Sequence, residues 1–185
     1  MSLFVVSGPS AVGKSSVVER LLKMDPSIER IVTCTTRNPR RSEQPNVDYF
    51  FIPKNEFLAA IDAGDFVEFS EVYGNYYGVK FSTIQEKIAA HKDVILTINW
   101  EGFLKIKDVI KQDVYGIFIL PPSIADLEIR IKLRGEDSPE VIAGRINAAK
   151  EDIAKANLYD FCFENFDIGI TAENILSKFN EIRNK

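Results

Sequence analysis

Residues 8–15 read Gly-Pro-Ser-Ala-Val-Gly-Lys-Ser and follow directly on the apolar run Leu3-Phe4-Val5-Val6. A short β-branched run, a glycine-spaced loop and then an amphipathic pattern at Val17, Val18, Leu21 and Leu22 spell strand, tight turn and helix in that order. Glycine lets the backbone double back so that successive N–H groups converge on one point, and the helix that opens there adds its positive end. The loop is therefore a polyphosphate cradle, with Gly8, Ser10, Ala11, Val12, Gly13, Lys14, Ser15 and Ser16 as its binding residues. Lys14 is placed to reach the β- and γ-phosphates, and the Ser15 hydroxyl to reach Mg²⁺. A strand that feeds a helix must return to a parallel neighbour, so this unit also commits the chain to a parallel sheet.

The rest of the sequence keeps that rhythm. Further apolar runs at 93–99 and 114–120 are each followed by a helical pattern, at 102–110 and 123–133, and a closing helix is expected over 171–182 after strand candidates at 161–163 and 167–170. The expected fold class is α/β, a three-layer αβα arrangement around a central parallel sheet. Two regions break the alternation. Residues 33–80 gather aromatics (Tyr49, Phe50, Phe51, Phe57, Phe66, Phe69, Tyr73, Tyr76 and Tyr77) among turn signals and predict a small insert of short, mostly antiparallel strands. Residues 124–158 are helical and basic, broken near Gly135, with Ser138-Pro139 as a helix start, and predict a helical lid. The core is then 1–32, 81–123 and 159–185.

The chain has 185 residues, 45% of them hydrophobic and 27% charged, with a formal net charge of −4. That balance suits a soluble single unit of ordinary size and disfavours general binding to nucleic acid or to a membrane surface, since the basic residues are scattered. Cys34 and Cys162 lie far apart in apolar stretches and read as reduced, buried thiols of an intracellular, cytoplasmic protein. His91 is the only histidine and reads as a solvated helix-end residue, so His/Cys metal sites are set aside.

Three constellations carry chemistry. Thr33-Cys-Thr-Thr-Arg37-Asn-Pro-Arg40 puts two guanidinium forks and several hydroxyls around a proline turn, a clamp for phosphate. Glu68 falls on the polar side of the alternating run Phe66-Val67-Glu68-Phe69; in an aromatic pocket such a carboxylate can accept two hydrogen bonds from the N1–H and 2-amino edge of guanine, where adenine offers no matching donors. In the lid, Arg130 and Arg134 share a helix face and Arg145 lies on the next helix, which suits stabilisation of a phosphoryl group in transit.

Taken together, S-G-P-S-A-V-G-K-S-S, T-T-R-N-P-R, D-Y-F-F, F-V-E-F, G-N-Y-Y-G, L-P-P-S, R-I-K-L-R-G and G-R-I-N-A-A resemble the guanylate kinases of the P-loop nucleoside monophosphate kinase family, in order and over nearly the whole chain. The resemblance implies Mg²⁺-dependent transfer of the ATP γ-phosphoryl to GMP, and to dGMP, by a monomer or homodimer acting in purine nucleotide metabolism. It implies that 33–80 binds GMP through Thr33, Arg37, Arg40, Tyr49, Glu68, Tyr77, Gly78 and Asn99. Lys14, Arg130, Arg134 and Arg145 become the catalytic residues, and Asn165 lies near the ATP base or ribose. The chain departs from the family where L-[DE]-I-D-W-Q-G is usual: it has Leu96-Thr97-Ile98-Asn99-Trp100-Glu101-Gly102, with neutral residues for both carboxylates. Val79 also replaces a usual serine or threonine. The alternative these departures leave is a catalytically weakened, guanylate-kinase-like module that binds phosphopeptides.

Overall fold

The computed structural model describes the chain except residues 1, 42, 73, 91, 111, 112, 134–137 and 185, and describes only the backbone of Ile88. The His91 and Tyr73 readings and that of Arg134 therefore lie outside the described residues.

A five-stranded sheet, every pairing parallel, runs in the order β2 (Ile28–Arg30), β7 (Asp93–Thr97), β1 (Leu3–Ser7), β8 (Val114–Leu120) and β9 (Phe161–Glu164). β1 is its centre. All five β1 residues are buried, because helices cover both faces of the sheet and a strand so placed has no polar side. Alternate residues divide between two cores. Phe4 and Val6 pack with Val17, Val18 and Leu21 of α1 (Lys14–Met24) and with Ile175 and Phe179 of α7 (Ile168–Arg183), whereas Leu3 and Val5 face Phe103 and Ile106 of α4 (Trp100–Val109). The rings of Phe4 and Phe179 stack 3.5 Å apart.

Residues 33–80 form a second sheet, in the order β4 (Tyr49–Phe51), β3 (Thr33–Thr35), β6 (Asn75–Lys80) and β5 (Phe66–Val72), with α2 (Lys54–Asp62) against it. It is mixed: β3 runs parallel to β4, while β3–β6 and β5–β6 are antiparallel. Its own small core is Cys34, Phe57, Ala60 and Phe66. Val67 and Val79 instead join the core of the main sheet, together with Ile84 of α3 (Phe81–Ala89), so the aromatic segment is anchored to the main sheet rather than hung from it. Residues 124–158 give α5 (Ile124–Leu133), α6 (Pro139–Ile153) and a 3₁₀ turn at Ala156–Leu158, with Ser138 capping α6 as its sequence predicts.

Two expectations fail. The strand candidate at 167–170 is the start of α7: Asp167 is the N-cap, its side chain accepting from the Ile170 N–H at 2.9 Å, and a satisfied cap outweighs the two isoleucines that made the segment look extended. Cys162 is exposed rather than buried, since β9 is an edge strand whose burial alternates.

Candidate active site

The parallel strands end together. Val6 pairs with Thr97 and Ser7 with Phe118, so the loop after β1 lies at the carboxyl edge of the sheet beside the segments that follow β7, β8 and β9, where open α/β sheets bind ligands. The loop backbone has positive φ at Gly8 (146°), Ala11 (64°) and Gly13 (105°). α1 opens at Gly13 with no capping side chain and no acidic residue in its first turn; its first N–H groups are thereby left for an anion. The Lys14 ammonium donates to the carbonyls of Gly8 (2.6 Å) and Pro9 (2.8 Å), which holds its charge across the loop. Ser15 and Ser16 are exposed on the first turn.

Two of the expected catalytic arginines, Arg130 and Arg145, reach this loop from α5 and α6. Arg145 Nη1 donates to the Ser10 hydroxyl at 3.3 Å. Arg130 Nη1 donates to the Val12 carbonyl (3.1 Å) and Nη2 to the Asn165 carbonyl (2.9 Å). Asp152, near the end of α6, is also drawn in: burial raises its pKa against the pull of Lys14, with Glu101 adding to the rise. Asp152 thus lies within electrostatic range of Lys14 and of Glu101. Sequence reading passed over Asp152, because one carboxylate in a charged helix carries no signal.

Glu68 is placed by a defect in β5. The register slips between Phe66 and Glu68, a bulge that breaks the alternation and turns the side chain inward, leaving it 3% exposed. Its Oε2 has no hydrogen-bond partner among the described residues. The carboxylate lies over the first turn of α4, where a Cβ added to Gly102 would come within 2.8 Å of Glu68 Cδ. Burial pushes the carboxyl up to about 7; Lys105 pulls it down and Glu101 raises it further. Thr33, on β3 of the same sheet, is buried.

The arginine clamp already holds an anion, and it belongs to the chain. Glu43 accepts from Arg37 Nη1 (3.0 Å) and Nη2 (2.8 Å) and from the Arg40 backbone N–H (2.7 Å), with Arg40 Nη1 4.0 Å away. Burial works to raise the Glu43 pKa, but the bonds from Arg37 and Arg40 prevail and the carboxyl sits below its ordinary value. The Arg37 guanidinium lies 5.5 Å from the Tyr49 ring centre, and Tyr77 stands edge-on to Tyr49 at 6.1 Å. Arg37, Arg40, Tyr49 and Tyr77 therefore converge as expected. Glu43 was missed; its sole trace in the sequence is a carboxylate six residues beyond Arg37 in an otherwise basic turn.

Other expected donors serve the frame. The hydroxyls of Thr35 and Thr36 bond the Tyr76 carbonyl (2.9 Å) and N–H (2.9 Å), locking β3 to β6 instead of lining the clamp. The missing Cβ of Gly78 makes room for the rings of Phe66 and Phe57, which it would meet at 2.8 and 2.9 Å. Asn99 caps α4: its Oδ1 accepts from the Gly102 N–H (3.0 Å) and its Nδ2 donates to Glu101 (2.5 Å). Asn165 is 2% exposed, and its Nδ2 donates to the Val12 carbonyl at 2.8 Å.

Known proteins resemble this chain over nearly its whole length. The family model for guanylate kinase matches residues 1–182. The guanylate kinase of Thiobacillus denitrificans is 39% identical over 98% of this chain and 86% of its own length, and that of Hahella chejuensis 40% identical over the same shares. Among solved structures, the crystal structure of guanylate kinase from Anaplasma phagocytophilum superposes with a TM-score of 0.81 at 29% identity, covering 100% of this chain and 87% of that one. A gluconokinase from Sinorhizobium meliloti, at 14% identity and a TM-score of 0.54, shares the fold alone. A family model that matches 182 of the 185 residues, with relatives near 40% identity over nearly the whole chain, shows that the chain belongs to the guanylate kinase family.

Proposed function

We propose that this chain transfers the γ-phosphoryl of ATP to GMP, giving ADP and GDP, in cytoplasmic purine nucleotide metabolism. The observation that carries the choice of acceptor is the buried Glu68 carboxylate, whose Oε2 is unpartnered at the sheet edge that also holds the phosphate loop. A buried acceptor of this kind calls for a ligand with donors, and guanine supplies two on one edge.

GMP binds with its base edge on Glu68 and Thr33 and its phosphate in the fork of Arg37 and Arg40, with the hydroxyls of Tyr49 and Tyr77 beside it. The arginine fork already carries a carboxylate in its ion pairs, and a phosphate presents the same oxygen geometry with more charge. ATP lies with its β- and γ-phosphates in the loop, where Lys14 turns from the Gly8 and Pro9 carbonyls to the phosphate oxygens. A GMP phosphate oxygen attacks the γ-phosphorus in line; the new P–O bond forms as the bond to the β-phosphate oxygen breaks, and no covalent enzyme intermediate is needed. Arg145, with Arg130 and Arg134, offsets charge on the group in transit. Residues 33–80 and 124–158 act as acceptor-binding insert and lid, closing to keep water from the phosphoryl.

Mg²⁺ accompanies ATP in such kinases. The donor set fits it: the exposed Ser15 hydroxyl opens α1, and Glu101, held by Asn99 in the segment that follows β7, brings a carboxylate where Thr97 and Asn99 bring none. One or two hard protein oxygens suffice for a cation held mainly by phosphate and water. When bound, it neutralises charge on the β- and γ-phosphate oxygens.

The test is ADP formation from ATP, Mg²⁺ and GMP, with AMP as the control acceptor and Lys14→Ala as background. Turnover on the order of 1–100 s⁻¹ with GMP is expected, and little with AMP. Binding of GMP without turnover would sink the reading and favour a phosphopeptide-binding module.

A further inference from the structure

The Val12 carbonyl accepts two side-chain donors, Asn165 Nδ2 at 2.8 Å and Arg130 Nη1 at 3.1 Å. Both donors are themselves fixed. The Asn165 Oδ1 accepts from the Thr171 hydroxyl at 3.0 Å, its backbone N–H donates to Leu120 at 2.8 Å, and its backbone carbonyl takes Arg130 Nη2 at 2.9 Å. Arg130 sits on α5 between Leu127 and Ile131, both fully buried. The Asn165 amide also fills the space beside Gly13, where an added Cβ would come within 2.5 Å of Nδ2. A buried side chain with its oxygen on Thr171 and its nitrogen on the loop is poorly placed to meet a base or ribose.

A trans peptide is planar, with its C=O and N–H on opposite sides. Pulling the Val12 carbonyl out toward Asn165 and Arg130 therefore turns the N–H of Gly13 the other way, into the concave side of the loop. We propose that Asn165 is a positioning residue for the phosphate loop: with Arg130 it pins the Val12–Gly13 peptide so that the Gly13 N–H faces the nucleotide polyphosphate. The segment after β9 thus acts on phosphate binding from behind the loop. This inference rests on the kinase reading above only in taking the loop's ligand to be a nucleoside polyphosphate.

The experiment measures dissociation constants of the full chain for ADP, for inorganic tripolyphosphate and for GMP by calorimetry. It compares the native protein with Asn165→Ala and Thr171→Val. Tripolyphosphate has neither base nor ribose, so it separates the two roles for Asn165. Asn165→Ala is expected to weaken ADP and tripolyphosphate alike by about tenfold, the scale of one lost hydrogen bond, with GMP affinity changed less than twofold. Thr171→Val, which keeps the amide but frees it to rotate, is expected to do the same to about threefold; it carries the test if the alanine variant does not fold. Loss of ADP affinity with tripolyphosphate unchanged would overturn the proposal in favour of a base or ribose contact. Equal loss for all three ligands, or for none, would overturn it as well. A native chain that binds ADP and tripolyphosphate but does not phosphorylate GMP sinks the kinase reading and leaves this test intact.

Discussion

Glu68 pays for its burial in proton affinity. With its carboxyl pushed up to about 7 by desolvation, it keeps a proton that a free side chain would lose near 4.5. Its contribution to stability without ligand therefore falls as pH rises from 4.5 through 7, the direction for a raised carboxyl. In the proposed base site GMP needs the ionised form, because both donors on the guanine edge require acceptors. GMP affinity should accordingly decline below pH 7, by up to about tenfold per pH unit. The GMP phosphate itself takes up a proton near pH 6 in any variant, so the quantity to read is the difference between native protein and Glu68→Gln. That variant should flatten the profile and lower kcat/KM for GMP by about 1–3 kcal/mol, roughly 5- to 150-fold. Parallel pH profiles in the two proteins would remove Glu68 from the base site. At this scale the sequence was legible where residue type alone dictates the chemistry: Lys14 in a glycine loop, arginines three apart. It was illegible where geometry decides. Alternation placed Glu68 on a solvent face, and a one-residue bulge put it inside. The phosphate-clamp partner Glu43 and the loop anchor Asn165 are ordinary polar residues until the fold brings Arg37 and Val12 to them.

Elements were read well where burial on both faces leaves an unbroken apolar run, as in β1 and β8, and poorly at the margins. β2 is three residues, Ile-Glu-Arg, held at the sheet edge by pairing to β7, and so short a strand has no period to detect. α7 begins three residues earlier than the helical pattern suggested, because the cap at Asp167 sets the start. The other end of α7 is tied down by Arg183. Its Nη1 bonds Asp25 at 2.5 Å, past the end of α1, and its Nε bonds Asp93 at 2.7 Å, at the start of β7. Bonds from Ser27 and Arg183 hold the Asp25 carboxyl down at about 2 against a usual 3.8. Replacing Arg183 with methionine should cost about 1–2 kcal/mol, lowering Tm by roughly 2–8 °C. A carboxyl with a depressed pKa stabilises above its unfolded value, so the difference between variant and native should be full at pH 6 and shrink as pH falls from 3.8 toward 2. Thermal melts across that range check it; a difference that persists unchanged at pH 2 would mean the arginine acts through packing alone.

At the scale of the molecule, the site exists only where two sheets meet. The main sheet brings the phosphate loop, the small sheet brings the arginine clamp, and β5 packs on α4 between them, with Glu68 lying over Gly102. This joint decides whether acceptor and donor nucleotides address each other, and Gly102 sets its spacing. Alanine at this position would gain about 1 kcal/mol of helix propensity. Its Cβ, however, would stand 2.8 Å from Glu68 Cδ and 2.9 Å from Ile98 Cδ1, and overpacking of that kind costs about 1–3 kcal/mol. Because Ile98 is held in the chain just after β7 while Glu68 is carried on the small sheet, the softer neighbour is Glu68. Gly102→Ala should therefore leave Tm within a few degrees of native and raise KM for GMP severalfold while KM for ATP changes less, since the displaced side chain is that of Glu68 and not one of the phosphate loop. Steady-state kinetics with each nucleotide varied in turn distinguish this from general damage. If both KM values rise together, the spacing of the sheets does not govern the base site separately, and the joint is only a place where two cores touch.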